Sequence, residues 1–175
     1  MKLNSKELRN LNEKKDSPHK KNELYLILDN VLDTYNIGSV FRLSDAAGVK
    51  ELLLCDKTDT PPNHRIKKSS INTTEVVDWK YYPSTVQAIE DLRKRVSGIQ
   101  IIAVELTKDS VPFNEFEYKF PVALIVGNES YGVSEEVTKL CDATVELPMY
   151  GVNISLNVMV SLAIATYHVL LNAKD

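Results

Sequence analysis

Residues 147–157 read LPMYGVNISLN, and an apolar segment that extends to residue 171 follows them. The preceding VEL favours a strand, the Pro-Met pair and the glycine favour a turn, and the SLN triplet opens a predicted helix over residues 156–171. Because a helix N-terminus presents unpaired N–H groups and a partial positive charge, the polar residues gathered there suit a polar ligand. A turn before a Ser-capped core helix accounts for the same residues without a ligand. Other segments of the sequence must therefore show whether a ligand binds here.

The predicted C-terminal helix is apolar on nearly all sides. Residues 156–171 are shorter than the roughly 20 apolar residues that a membrane span needs. They also include Ser161, Thr166 and His168. We therefore expect a buried helix and no membrane segment, with the helix packed inside the domain and also against a partner.

Composition is that of a single globular domain. The chain has 175 residues, of which 43% are hydrophobic and 26% charged, and its net charge is −3. Any contact with nucleic acid must therefore come from local basic patches. Cys55 and Cys141 form neither a CxxC pair nor a disulfide framework, and the charged N-terminus lacks the apolar core of a signal peptide. These features predict a cytoplasmic protein.

Two basic clusters are candidate RNA contacts. Residues 1–22 are expected to form a basic N-terminal helix or arm, and residues 23–175 the domain proper. Residues 57–82 are expected to form a long loop that ends in a strand near residues 75–81. For the N-terminal cluster, a solvated surface helix is favoured over RNA docking when no other observation is considered. The candidate RNA-binding residues are Lys14, Lys15, Lys20, Lys21, Arg65, Lys67 and Lys68.

Strands and helices alternate along the rest of the chain. Apolar runs predict strands at residues 24–31, 51–55, 99–106 and 121–126. Helices are predicted over residues 36–48 and 134–140 and, after a Ser84–Gln87 capping box, from residue 84 to a stop at Gly98. This alternation predicts an α/β fold, with a parallel sheet flanked by helices on both faces.

Several common site patterns are absent from the sequence. Gly127 and Gly132 have the spacing of a phosphate loop, but Val133 and Ser134 stand where Lys and Ser or Thr should follow. No GxGxxG follows a predicted strand, and no GxSxG occurs. The three histidines lack metal-ligand spacing with the cysteines, so we expect no metal.

Three motifs remain, in order: NIGSVFR at residues 36–42, VGNESYGVS at residues 126–134 and LPMYGVNISLNV at residues 147–158. Together they resemble the motifs of the SpoU, or TrmH-like, branch of the SPOUT RNA methyltransferases, and the likeness extends over residues 24–171. The resemblance implies transfer of a methyl group from S-adenosylmethionine to a ribose 2′-hydroxyl. It also implies a deep trefoil knot in the C-terminal part and a homodimer.

The resemblance also assigns site residues. Those expected to be catalytic are Asn36, Arg42, Glu129, Ser155 and Asn157. Those expected to bind the cofactor, largely through backbone groups, are Leu106, Gly127, Asn128, Leu147, Met149, Gly151 and Leu156. Since a ribose hydroxyl is a poor nucleophile, its oxygen must be aligned behind the methyl carbon and its developing charge stabilised. Arg42 suits that task because a guanidinium binds phosphate bidentately and stays charged.

Two positions depart from the family pattern: Met159 follows SLNV where Ser is usual, and Ser130 stands where Gly is common. With no separate RNA-binding domain before the motifs, substrate choice is expected to depend on the N-terminal arm and residues 57–70. tRNA is the expected substrate, and rRNA is the first alternative. A non-catalytic RNA-binding protein, or an unrelated small-molecule or structural α/β protein, would also have this fold class.

Overall fold

The computed structural model describes residues 21–173, so Lys14, Lys15 and Lys20 lie outside the described residues. The strands are β1 (Asn22–Asp29), β2 (Val49–Cys55), β3 (Trp79–Tyr82), β4 (Gln100–Val104), β5 (Val111–Pro112), β6 (Val122–Val126) and β7 (Ala143–Glu146). The helices are α1 (Thr34–Ala46), α2 (His64–Ser70), α3 (Thr85–Arg95), α4 (Glu135–Thr138) and α5 (Val158–Asn172), and a 3₁₀ turn covers Thr73–Glu75.

The seven strands form one sheet in the order β3-β2-β1-β6-β4-β7-β5, and neighbouring strands are parallel. Alternate residues of β1 face opposite sides of the sheet. Leu24, Leu26 and Leu28 belong to the core layer shared with α1 and α5. Tyr25 and Ile27 belong to the layer shared with α3. The predicted parallel sheet with helices on both faces is therefore confirmed.

Parallel pairing brings the carboxyl ends of β1, β4, β6 and β7 to one edge of the sheet. The loops that leave this edge contain all three sequence motifs or lead into them. Open α/β sheets bind ligands at this edge. Within residues 21–173, none of the helices is long and apolar enough to cross a membrane.

The predicted loop over residues 57–82 is wrong in part, because it contains α2 and the 3₁₀ turn. The Asn63 side chain accepts hydrogen bonds from Arg65 N and Ile66 N and so caps α2. Ile66 is buried, and a Cβ on Gly38 of α1 would overlap Ser69 Oγ. This glycine in the first motif therefore lets α2 pack closely on α1.

Other boundaries shift by a few residues. Helix α1 begins at Thr34 after an Asp33 cap, and α5 begins at Val158 because Asn157 caps it. Ser84 accepts a hydrogen bond from Gln87 N, which is one half of the predicted capping box. Helix α4 is a single turn, and Ser134 at its start makes no side-chain cap.

Candidate active site

A cavity of about 610 Å³ lies at the carboxyl edge of the sheet. Its walls are the loops that follow β4, β6 and β7, together with the first turn of α5. Every residue that the sequence assigned to cofactor binding lines this cavity: Leu106, Gly127, Asn128, Leu147, Met149, Gly151 and Leu156. The structure thus brings together residues that are up to 50 positions apart in the sequence.

The loop after β6 is held in one shape by its own backbone and by Asn128. Asn128 N donates to Gly132 O at 3.0 Å, and Gly132 N donates back to Asn128 O at 2.8 Å. The Asn128 side chain accepts from Ser130 N and Tyr131 N and donates to Asn30 O. A Cβ on Gly127 would overlap the Gly132 backbone, so this position requires glycine. The wall is therefore held in shape by contacts within the chain itself.

A chain of side-chain hydrogen bonds connects the three motifs. Asn36 Nδ2 donates to Glu129 Oε1 at 3.1 Å, and Asn157 Nδ2 donates to Asn36 Oδ1 at 3.1 Å. Glu129 also accepts from Leu32 N and Asp33 N. Asn157 Oδ1 accepts from Met159 N and Val160 N. Asn157 thus caps the N-terminus of α5, where the ligand-free interpretation expected a serine, and the same asparagine reaches the first motif.

The pKa of Glu129 is lowered. Burial raises it, but the hydrogen bonds from Asp33 N, Asn36 and Leu32 N to the carboxylate outweigh that effect. The carboxylate is therefore charged at neutral pH, and both of its oxygens already accept hydrogen bonds. This arrangement suits a group that fixes the start of α1 better than it suits a general base.

The cavity is acidic. Glu105, Glu129 and Glu146 line it, and no Lys, Arg or His is among the described residues that do so. Glu105 Oε2 accepts from Val133 N, and Glu146 accepts from the Ser110 hydroxyl. Neither Glu105 nor Glu146 was identified from the sequence, because a single carboxylate after an apolar strand carries no recognisable pattern. A cationic ligand is favoured in such a cavity.

Residues 23–167 match the model of the SpoU rRNA Methylase family. The chain belongs to this family. A tRNA (guanosine(18)-2′-O)-methyltransferase from Aquifex aeolicus is 35% identical over 83% of this chain and 67% of its own length. The 23S rRNA (guanosine-2′-O-)-methyltransferase RlmB from Pseudomonas aeruginosa is 28% identical over 84% of this chain and 58% of its own. The crystal structure of an AdoMet-bound rRNA methyltransferase from Sinorhizobium meliloti superposes with a TM-score of 0.77 at 28% identity, over 87% of this chain and 57% of that one.

The catalytic residues expected of a SpoU protein do not all lie at the cavity. Glu129 and Ser155 line it, and Asn36 and Asn157 join it through the hydrogen-bond chain. Arg42 is exposed on α1 and is not among the lining residues. It lies six positions after Asn36 in the helix, which places the two side chains roughly 120° apart around the helix axis. Arg42 therefore does not reach this SpoU cavity from its own chain.

The basic residues of this SpoU chain differ in whether they form ion pairs with other residues. Arg65 and Lys68 are exposed on α2 and form no ion pair within residues 21–173. Lys67 lies 3.7 Å from Glu75, and Lys21 forms a 2.6 Å ion pair with Asp78. Arg65 and Lys68 are thus the described lysine and arginine candidates most available to a phosphate.

Proposed function

We propose that this protein transfers a methyl group from S-adenosylmethionine to a ribose 2′-hydroxyl of RNA, with tRNA as the substrate. The observation that carries the proposal is the acidic cavity whose three walls are the motif loops and their neighbours. Membership of the SpoU family supports the reaction class. The Aquifex relative, named for methylation of a tRNA guanosine ribose, supports tRNA.

The cavity fits S-adenosylmethionine in size and charge. Its volume of about 610 Å³ lies within the range of small-molecule sites. The cofactor, when bound, supplies a methyl group activated by a positively charged sulfonium. Three carboxylates line the cavity, and among residues 21–173 no lysine, arginine or histidine lines it with them, which favours such a cation. We propose that backbone groups of Leu106, Gly127, Leu147 and Met149 hold the adenine and ribose.

Arg42 has a separate role in this proposal. A guanidinium can bind the phosphate beside the target nucleotide and stabilise negative charge that develops on the ribose oxygen. Ser155 lines the cavity at the end of the third motif and offers a hydroxyl to the incoming ribose. Because Arg42 lies outside the cavity of its own chain, we propose that the guanidinium acts on RNA bound to the cavity of a second copy.

The apolar face of α5 supports a homodimer. Val160, Ile164, Tyr167 and Leu171 are exposed although they belong to the most apolar helix in the described chain. They recur at spacings of four, three and four residues, so they share one side of the helix. We propose that this stripe packs against its symmetry mate, which brings α1 of one protomer near the cavity of the other.

We also propose that the C-terminal part of the chain forms a knot. Residues of the segment 147–157 line the same cavity as the loops after β4 and β6. A chain whose C-terminal part is threaded through a loop would bring these segments together in this way. We further propose that the basic segment before β1 forms an arm for RNA; β1 begins at Asn22, so this residue belongs to the sheet and not to the arm. A cytoplasmic location is also proposed, because Cys55 and Cys141 are free thiols.

Ribosomal RNA is the second candidate substrate, since the Pseudomonas relative is named for 23S rRNA. Mapping of 2′-O-methyl groups in total RNA from cells with and without this protein distinguishes the two. Loss of a methyl group from tRNA supports the proposal. Loss of a methyl group only from rRNA means that rRNA, and not tRNA, is the substrate. A binding protein without activity would change neither RNA, although it would still bind S-adenosylhomocysteine or RNA in vitro.

A further inference from the structure

Glu105 is the residue that follows β4, and its carboxylate joins two walls of the cavity. Oε1 accepts a hydrogen bond from Leu106 N at 2.9 Å, in the loop after β4. Oε2 accepts from Val133 N at 2.9 Å, in the loop after β6. The backbone N–H of Glu105 donates to Val145 O at 2.9 Å and so continues the pairing with β7. One residue therefore contacts the segments that lead to all three walls.

The glycines of the second motif are fitted around this carboxylate. Gly132 has φ +69°, and a Cβ built on it would overlap Glu105 Oε2. A Cβ on Gly127 would in turn overlap the carbonyl of Gly132 and the nitrogen of Val133. Gly127, Gly132 and the Glu105 carboxylate are thus stacked in direct contact. Gly132 thus allows close packing against a side chain outside the motif, and Gly127 allows close packing against the backbone of the motif itself.

Glu146 provides an internal comparison. It lines the same cavity and carries the same charge, but its carboxylate accepts from the Ser110 hydroxyl, on the side of β5 and β7. It makes no hydrogen bond to the loop after β6 within residues 21–173. If cofactor binding required only negative charge in the cavity, replacing Glu105 and replacing Glu146 would weaken it equally. If cofactor binding also required a fixed distance between the two loops, loss of Glu105 would weaken it more than loss of Glu146.

We infer that Glu105 is a positioning residue for S-adenosylmethionine. Its carboxylate fixes the loop after β4, which contains Leu106, relative to the loop after β6, which contains Gly132. The inference rests on the proposed cofactor site. Loss of the bridge lets the two walls separate, so binding weakens in the free enzyme. Transfer from bound cofactor depends on Arg42 and Ser155 and is affected much less.

The test compares Glu105→Gln with Glu146→Gln and with Glu136→Gln, a matched change at an exposed residue of α4 outside the cavity. Affinity for S-adenosylhomocysteine is measured by calorimetry, and methyl transfer by single turnover at saturating cofactor. A glutamine amide can accept one of the two N–H groups but must oppose the other with its own NH₂. We expect about tenfold weaker binding for Glu105→Gln, the scale of one lost hydrogen bond to a charged group. Its single-turnover rate should stay within about twofold of the wild type. Glu146→Gln removes one cavity charge but no contact between the two loops, so it should weaken binding clearly less than Glu105→Gln does, and Glu136→Gln should bind normally.

Each outcome has a distinct meaning. Equal weakening by Glu105→Gln and Glu146→Gln would overturn the inference in favour of a simple charge effect. A rate that fell with affinity unchanged would also overturn it. Failure of the wild type to bind S-adenosylhomocysteine would instead reject the proposed cofactor site.

A second measurement covers the case in which Glu105→Gln folds poorly. Leu106 is 62% exposed, so its backbone amide should exchange rapidly with deuterium unless the Glu105 carboxylate protects it. Slow exchange of the Leu106 amide in the wild type, without ligand, supports the bridge. Exchange at the rate of an unprotected amide would contradict it.

Discussion

Replacement of Asn36 by Asp tests the hydrogen-bond chain between the motifs. The variant keeps the size of the side chain and the acceptor for Asn157, but it places a carboxylate oxygen where Nδ2 now lies 3.1 Å from Glu129 Oε1. Coulomb's law with an effective dielectric constant of about 20 gives roughly 5 kcal/mol for two charges at this distance. Since Glu129 is partly exposed, solvent screening leaves about 2–3 kcal/mol of repulsion.

This repulsion makes the stability loss depend on pH. It raises the pKa of the carboxyl pair above the value in the unfolded chain, so the folded variant retains a proton that the unfolded chain has lost. Destabilisation therefore grows as pH rises from about 4 and levels off near pH 7. Relative to the wild type, the melting temperature should fall by about 5–10 °C at pH 8 and by roughly half as much at pH 5.

Thermal melts followed by circular dichroism measure this difference. Asn114→Asp is the matched control, because it makes the same change of charge at an exposed residue away from the site. Adding Glu129→Gln to the Asn36→Asp variant removes one carboxylate and supplies an amide donor, so most of the lost stability should return. A stability loss that is equal at pH 5 and pH 8, or that persists in the double variant, would refute the reasoning.

Three further predictions concern the cavity, the transfer step and the assembly. Gly127→Ala should destabilise the fold by about 1–3 kcal/mol, because its Cβ has no room. Gly151→Ala has free space and should cost less than about 0.5 kcal/mol, as thermal melts of both will show. Arg42→Ala should slow single-turnover methylation by about 10²-fold with unchanged affinity for S-adenosylhomocysteine, and a wild-type rate would remove it from the mechanism. Ile164→Arg should shift the sedimentation coefficient at micromolar concentration towards that of a monomer, and an unchanged coefficient would exclude this face from the interface.

The regular part of the fold was predictable because its signals are local. The apolar runs that became β1 and β6 are buried throughout or nearly so, and the helical spacing from Val86 to Leu92 became α3. Helix α2 was missed because only Ile66 and Ser70 are buried in its seven residues, so it shows no apolar period. Strand β5 has two residues and owes its conformation to pairing with β7, which no local pattern records.

The candidate site was predictable as a set of residues and not as a geometry. The family resemblance supplied many of the residues that line the cavity, yet it could not indicate that Glu129 already accepts three hydrogen bonds. Nor could it indicate that Arg42 lies outside the cavity of its own chain. Glu105 was missed altogether, because its importance arises from contact with Gly132, which is 27 positions away and becomes a neighbour only through the sheet.

The most direct test of the account is an assay of the purified protein with tRNA and S-adenosylmethionine whose methyl group carries three deuterium atoms. Nuclease digestion followed by mass spectrometry then locates the label on base or ribose. The account predicts a deuterated methyl group on a ribose 2′-oxygen of one nucleotide, and formation of that product about 10²-fold more slowly in the Arg42→Ala variant. A label on a base would contradict the account. The absence of label in both tRNA and rRNA would also contradict it, provided that the protein binds the cofactor.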